Sequence, residues 1–292
     1  MPHVPTLLLS ARVRVFFRQL PLALAGQPEG IHQMRVAGRR LRVALPLVAR
    51  KPSGGRVRRA RRGLKRVIRA AGAGRDLDVG LALFDEQAAE LTGSPELDAL
   101  RRSLVTARTR GRRRMQEALL DEDVAGLRRD LRAVAATVEE TGSVVLARIR
   151  QARDVEGEAL LARLSALGDT FDGEALHDVR RRVRRLRYVA EAAAEVSGEE
   201  SKAPKRLKEL QEHLGGIHDP WVLAEWLERN AVAADRRQAS ARAAEARRLE
   251  AACLEVSRMR HRAYLESDPV GTLKEALVLL APAPALPWQE SA

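Results

Sequence analysis

One sequence frame occurs twice, and it constrains the chain more than any other feature. Residues 31–42 read IHQMRVAGRRLR and residues 176–187 read LHDVRRRVRRLR, sharing H-x-x-R-x-x-x-R-R-L-R at an offset of 145 positions in a chain of 292. A helix turns about 100° per residue, which brings His32, Arg35, Arg39 and Arg42 into one arc of about 80°. Met34, Leu41, Leu45 and Val48 fall on the opposite side. In the second copy His177, Arg180, Arg184 and Arg187 stand against Val179, Leu186, Ala190 and Ala193. Each copy reads as a two-faced helix, apolar toward a core and cationic toward something negative. An offset of almost half the length points to an internal duplication.

Hydrophobic residues at 45% give each half enough apolar material for a core of its own, and aromatics at 3% with abundant Ala, Leu, Arg and Glu favour an all-α chain of helix bundles. The expected division is a first helical-bundle half over 6–141, a second over 144–280 and a Pro-rich tail over 281–292. In the first half, helices are expected near 6–25, 28–50, 56–71, from Asp76 onward, 95–120 and 122–140. In the second they are expected near 144–168, 174–197, 202–214, 220–233, 235–266 and 270–280. Pro46 should kink or end its helix early. Gly72 with Gly74, and Gly215 with Gly216, should break the chain, with Asp76 and the pair Asp219–Pro220 starting new helices.

A formal charge of +13 argues for a polyanionic partner without distinguishing nucleic acid, acidic lipid and polyphosphate. Its distribution says more: between Glu29 and Asp76 there is no acidic residue against fifteen Lys and Arg. Arg58, Arg62, Lys65 and Arg69 recur at i, i+4, i+7 and i+11, a second basic stripe that could share a cleft with the first. At an offset of 143, Lys205 matches Arg62, Lys208 matches Lys65, Gly215 matches Gly72 and Asp219 matches Asp76, while Ser201 and Glu212 stand opposite Arg58 and Arg69. Arg108 lies within the apolar arc of the 95–120 helix, and Arg101 and Arg112 lie near its edge, so one or more could point into an interior cavity.

Arg suits phosphate because its planar fork makes paired, charge-assisted hydrogen bonds. His32 and His177 could donate to an oxyanion and add partial charge near pH 6 to 7, so that affinity would rise as pH falls. Arg40 and Arg185 lie off the main arc and suit a structural role as well as a ligand contact. A run of charge is usually a solvated helix face, but retention of the His and the same Arg positions in both copies favours a functional face. Phosphate-loop, nucleophile-elbow and H-E-x-x-H motifs are absent from the sequence. His213, His218 and Asp219 flank Gly215 and Gly216 and read as a turn and cap more than a metal site. Asp76, Asp78 and Asp85 read as capping and ion-pair structure. Cys253 falls on an apolar helix side and reads as a small buried hydrophobe. The opening MPHVPTLLLSARVRVFF is interrupted by Arg12 and Arg14, and the absence of an uncharged run of about 18 residues leads to the expectation of a soluble, cytoplasmic chain with no membrane partner.

The doubled His-and-Arg segment, each copy preceding a basic helix and a Gly-x-x-x-Asp turn, resembles the CHAD family, the conserved histidine α-helical domain, over about residues 6–280. The resemblance implies one CHAD domain of two similar helical bundles about a pseudo-twofold, with a basic central cavity or pore. It implies binding of inorganic polyphosphate, no catalysis, and association with polyphosphate granules or a separate CYTH-type triphosphatase. The implied ligand positions are His32, Arg35, Arg39, Arg42, Arg58, Arg62, Lys65 and Arg69, then His177, Arg180, Arg184, Arg187, Lys205 and Lys208. Nucleic-acid backbone binding is the alternative, disfavoured by the absence of aromatics from the basic stripes. Histidine phosphotransfer or polyphosphate turnover through His32 or His177 ranks below both.

Overall fold

The sequence folds as an all-α protein in the computed structural model, which describes residues 4–89, 93–139, 141–198 and 200–280, the side chains of 73–75 excepted. The helices among the described residues are α1 (Val4–Leu24), α2 (Pro28–Val48), α3 (Gly55–Ala89), α4 (Pro95–Leu120) and α5 (Val124–Ala135), then α6 (Gly142–Ala166), α7 (Gly173–Ser197), α8 (Ala203–Asp235), α9 (Ser240–Glu266) and α10 (Pro269–Leu279). None of them is long and apolar enough to cross a membrane. The tail 281–292, expected to be extended, lies outside the described residues.

Local chemistry sets the helix ends. Ser94, Asp123, Asp172 and Asp268 each accept a backbone N–H three residues on, at 2.7 to 3.1 Å, satisfying a donor that the first turn leaves open. Pro28 occupies the first turn of α2 with Glu29 beside it, and Gly198 ends α7 at φ +70°. Pro46 stays inside α2, which stops two residues later at Val48. Arg148 from α6 then donates to the carbonyls of Leu47 and Ala49 at 3.3 and 2.8 Å.

The two expected glycine breaks are corrected: α3 runs unbroken for 35 residues through Gly72 and Gly74, and α8 for 33 residues through Gly215, Gly216 and Pro220. In α8 a neighbouring helix supplies what the proline removes. Pro220 has no N–H to give the carbonyl four residues back, that of Gly216. Arg260 on α9 donates to that carbonyl at 2.9 Å, and Ser257 donates to the next one, Ile217, at 3.1 Å. In α3, Arg35 donates to the carbonyls of Ala71 and Gly72 at 3.3 and 3.0 Å. Asp76 and Asp219 therefore lie in mid-helix and are not caps.

Unbroken α3 and α8 change where the cores lie. One apolar cluster joins Phe16, Leu41, Leu64 and Leu131 to Ile149, Leu186, Leu210 and Leu273. A second joins Phe84, Leu100 and Leu104 to Leu227, Leu249 and Cys253. Each core takes residues from both halves of the chain, in place of one core per half, because the long helices carry their apolar faces from one cluster into the other. Cys253 is buried, and burial pushes its thiol up to about 11, so it packs as a hydrophobe. Gly38 marks a close fit: a Cβ there would stand 3.0 Å from Ile68 and 3.2 Å from Phe16, between α3 and α1.

The packing order is alike in the two halves. α5 lies on α3 and α1, as α10 lies on α8 and α6, and across the middle α2 meets α7, α3 meets α8 and α4 meets α9. Ion pairs tie α1 and α2 to α7: Arg12 to Glu195 at 2.7 Å and Arg40 to Glu191 at 2.7 Å.

The bridging role assigned to Arg260 gives a stability prediction. Arg260→Met should cost about 1–3 kcal/mol, because it leaves a half-buried carbonyl without a donor. Urea denaturation should show this as a lower midpoint at unchanged slope. Pro220→Ala restores the backbone N–H, so the double variant should lose less than the sum of the single losses. Strict additivity would remove the bridging role.

Candidate anion-binding site

The apolar side of α2, with Ile31, Met34, Leu41, Leu45 and Val48 fully buried, packs against α1 and α3 and turns the arginines toward α7. On α7, Val179, Val183, Leu186 and Ala190 are buried and turn the second set back toward α2. The two copies then make parallel contacts. Arg35 reaches Asp76 at 3.6 Å and lies over Gly72, while Arg180 reaches Asp219 at 3.5 Å and lies over Gly215.

Two clefts open beside this crossing. The first, about 280 Å³, is lined by Arg39 and Arg42 of α2, Arg61 of α3, and Arg181, Arg184 and Arg185 of α7, with Glu156 and Tyr188. The second, about 260 Å³, is lined by His32, Arg35 and Arg39 with Arg180, Arg184, His218, Asp76 and Asp219. Arg39 and Arg184 line both, so they form the shared wall.

That wall carries uncompensated charge. Among the described residues, no carboxylate lies in ion-pair contact with Arg39, Arg42, Arg61 or Arg184. Burial first, then the charge of Arg39, lowers Arg184 to about 9; burial and then Arg35 lower Arg39 to about 10. Both stay protonated at neutral pH, so they repel each other across the crossing. Burial with Arg61 also lowers Arg42, and burial with Arg185 lowers Arg61. Among the described residues, the buried Nε–H groups of Arg42, Arg61, Arg180 and Arg187 meet no acceptor. Unsatisfied buried donors are rare in folded proteins, and Arg42, Arg61 and Arg180 carry theirs among the residues that line the two clefts, whereas Arg187 lines neither.

The histidines behave differently from the sequence expectation of pH-tuned charge. His177 lies 3.2 Å from His218, ring nitrogen to ring nitrogen. Burial first, then Arg181, Arg180 and Arg184, lowers His177; burial, Arg180, His177 and Arg184 lower His218 to about 3. Both rings are neutral near pH 7 in the free protein, because a further cation among these arginines is unfavourable. They can each donate one hydrogen bond but bring no charge.

Other expected ligand positions go elsewhere. Arg58, Arg62, Lys65 and Arg69 are exposed, and none lines the two clefts. Val57, Ala60, Leu64 and Val67 are the buried side of α3, so that stripe is the face turned away from the core, while Arg61 flanks the buried side and enters the first cleft. Lys205 is exposed on α8, and Lys208 pairs with Glu212 at 3.2 Å. Arg40 and Arg187 both pair with Glu191, and Arg185 pairs with Glu156. Arg108 and Arg112 do not enter a cavity: both close on the buried Asp78, at 2.6 and 2.8 Å. Arg61, Arg181 and His218 line the clefts and escaped the sequence reading. His218 did leave a signal, since at the offset of 143 it stands opposite Arg75, giving a basic residue before the Asp in both copies. Its expected cap-and-turn role is corrected, because α8 is continuous there and the ring faces the second cleft.

The comparisons with known proteins agree with this architecture. The crystal structure of the CHAD domain from the plant Ricinus communis superposes with a TM-score of 0.61 at 24% identity, covering 97% of this chain and 92% of that one. PptA from Streptomyces chartreusis superposes with a TM-score of 0.69 at 21% identity, covering 91% of this chain and all of that one. No curated protein matches the chain in sequence. The sequence model of the CHAD domain matches residues 7–228, about three quarters of the chain, and on that match the protein belongs to the CHAD domain family.

Proposed function

We propose that the protein binds inorganic polyphosphate without catalysing its turnover. The observation that carries this reading is the shared wall of Arg39 and Arg184, cationic and uncompensated, with an arginine-lined cleft on either side. The family is associated with polyphosphate, which supports it independently. A linear chain with about one charge per phosphate would lie in one cleft, pass Arg39 and Arg184, and continue into the other, so that the clefts form one basic passage between halves derived from a duplication. Because such binding releases counterions, affinity should fall steeply with salt, by analogy with nucleic acids. A cytoplasmic setting, at polyphosphate granules or beside a CYTH-type triphosphatase, belongs to the same proposal.

A second reading, contact with the nucleic-acid backbone, draws on the exposed stripe Arg58, Arg62, Lys65 and Arg69. Substitution separates the two. Arg39→Ala with Arg184→Ala should weaken polyphosphate binding at least tenfold, the scale of losing charge-assisted hydrogen bonds in a desolvated cleft. Removal of the four exposed cations should weaken it far less. Labelled polyphosphate competed with unlabelled polyphosphate or duplex DNA at equal phosphate concentration reads both. Equal competition by DNA, or insensitivity to loss of Arg39 and Arg184, would reject the proposed site.

The neutral histidines give a pH prediction of opposite kind to a charge switch. The unfolded chain takes up a proton on His218 near pH 6.5, whereas the native ring resists it down to about 3. The native state is therefore favoured in full above pH 6.5, and stability falls as pH drops through the interval below, by at most about 1.4 kcal/mol per pH unit for one proton. Thermal melts from pH 7 to pH 5 should show a steeper loss for the natural protein than for His218→Gln. Polyphosphate affinity should gain nothing from His177 or His218 between about pH 8 and pH 7.

A further inference from the structure

Glu156 is out of place in an arginine cleft. It sits in the middle of α6, 3% exposed, and lines the first cleft with Arg39, Arg42, Arg61 and Arg184. Its Oε1 takes Arg185 at 3.1 Å, and Arg182 approaches Oε2 at 3.5 Å. Oε2 is buried, yet among the described residues no hydrogen-bond donor serves it. The other carboxylate on this cleft, Asp178, is engaged by Arg163 and Arg182.

A buried carboxylate opposes a polyanion, so its presence carries information about which part of the polyanion lies there. An internal phosphate of a polyphosphate chain has only acceptor oxygens near neutral pH. To such a group Oε2 offers repulsion and nothing else. A terminal phosphate differs, because its second proton leaves at a pKa of about 6, and close to neutrality a fraction keeps an O–H that can donate. Anchoring Arg185 uses Oε1, and Arg182 meets Oε2 as a charge at 3.5 Å without a hydrogen bond, so the two arginines leave Oε2 open to one donated proton.

We propose that Glu156 makes the first cleft a reader of the chain end. The terminal O–H donates to Glu156 Oε2, the charged oxygens of the same phosphate accept from Arg42 and Arg61, and the chain leaves past Arg39 and Arg184. This rests on the polyphosphate reading and adds to it a polarity: one end of the ligand is held, and the remainder extends toward the second cleft. Glu156 is then a specificity residue, which weakens binding of internal phosphates and favours ends.

The test is a two-by-two comparison. Linear polyphosphate of one length is prepared free or esterified at both ends, which removes the terminal O–H, and each form is bound to the natural protein and to Glu156→Gln in the presence of EDTA. Capping also removes charge, and that loss acts equally on both proteins, so the comparison of ratios isolates the carboxylate. The natural protein should prefer free over capped chains by about tenfold more than Glu156→Gln does, the scale of one hydrogen bond to a charged group. Glu156→Asp, which shortens the carboxylate and keeps its charge, should also lose the preference and serves should the Gln variant fail to fold. Equal ratios in the natural protein and the variants overturn end recognition and leave polyphosphate binding standing. Failure of the natural protein to bind either chain overturns both.

Discussion

The like-charge contact between Arg39 and Arg184 is the constraint around which the rest is arranged. Two arginine faces do not meet in a protein interior unprompted, since each guanidinium is desolvated and repelled by the other. Opposite charge at the rim holds them there. Arg12 with Glu195 and Arg40 with Glu191 clamp α1 and α2 to α7, and Asp76 and Asp219 steady Arg35 and Arg180. Behind each face a packed apolar side resists separation, with α2 fitted closely to α3 and α1 at Gly38. The acids are placed so that they neutralise the flanking arginines and leave the central ones charged.

Much of this was legible in the sequence. The helical wheel separated the apolar and cationic sides of α2 and α7 correctly, and Met34, Leu41, Leu45, Val48, Val179, Leu186 and Ala190 are all buried. The breaks at Gly72 and Gly215 were misread because helix rules are local, whereas the groups that sustain α3 and α8 come from other helices. Arg260 supplies the donor that Pro220 denies to the Gly216 carbonyl, and Arg35 donates to the carbonyl of Gly72. The cores were misplaced for a related reason: the apolar sides of α2 and α7 and those of α3 and α8 pack across the middle, which spacing within one helix does not reveal.

The site was legible to the same depth and failed in the same way. A motif repeated with its His and Arg intact identified the two faces that meet. The stripe Arg58, Arg62, Lys65 and Arg69 was misassigned because regular spacing marks a face without saying which way it turns. On α3 the most regular cationic face lies opposite the buried residues and looks outward, and the residue that serves the cleft, Arg61, flanks the apolar side. The histidines show a further limit: His32 lines the second cleft and His177 neither, and the charge of His177 and His218 depends on arginines brought close by the fold.

The geometry also bears on the kind of anion that fits. A compact anion held in the second cleft would offset part of the repulsion at Arg39 and Arg184 and leave Arg42 and Arg61 of the first still without a carboxylate. A rigid duplex presents its phosphates on a surface wide compared with clefts of 260 to 280 Å³. A thin flexible chain meets both demands, because successive charges can follow the arginines around the shared wall while every phosphate offers acceptors to buried N–H groups. The ordering cost of such a chain is offset by counterion release and by donors that the protein has already desolvated on folding. Preorganisation of this kind places the cost of bringing the arginines together in the folding of α2 against α7, before any ligand arrives.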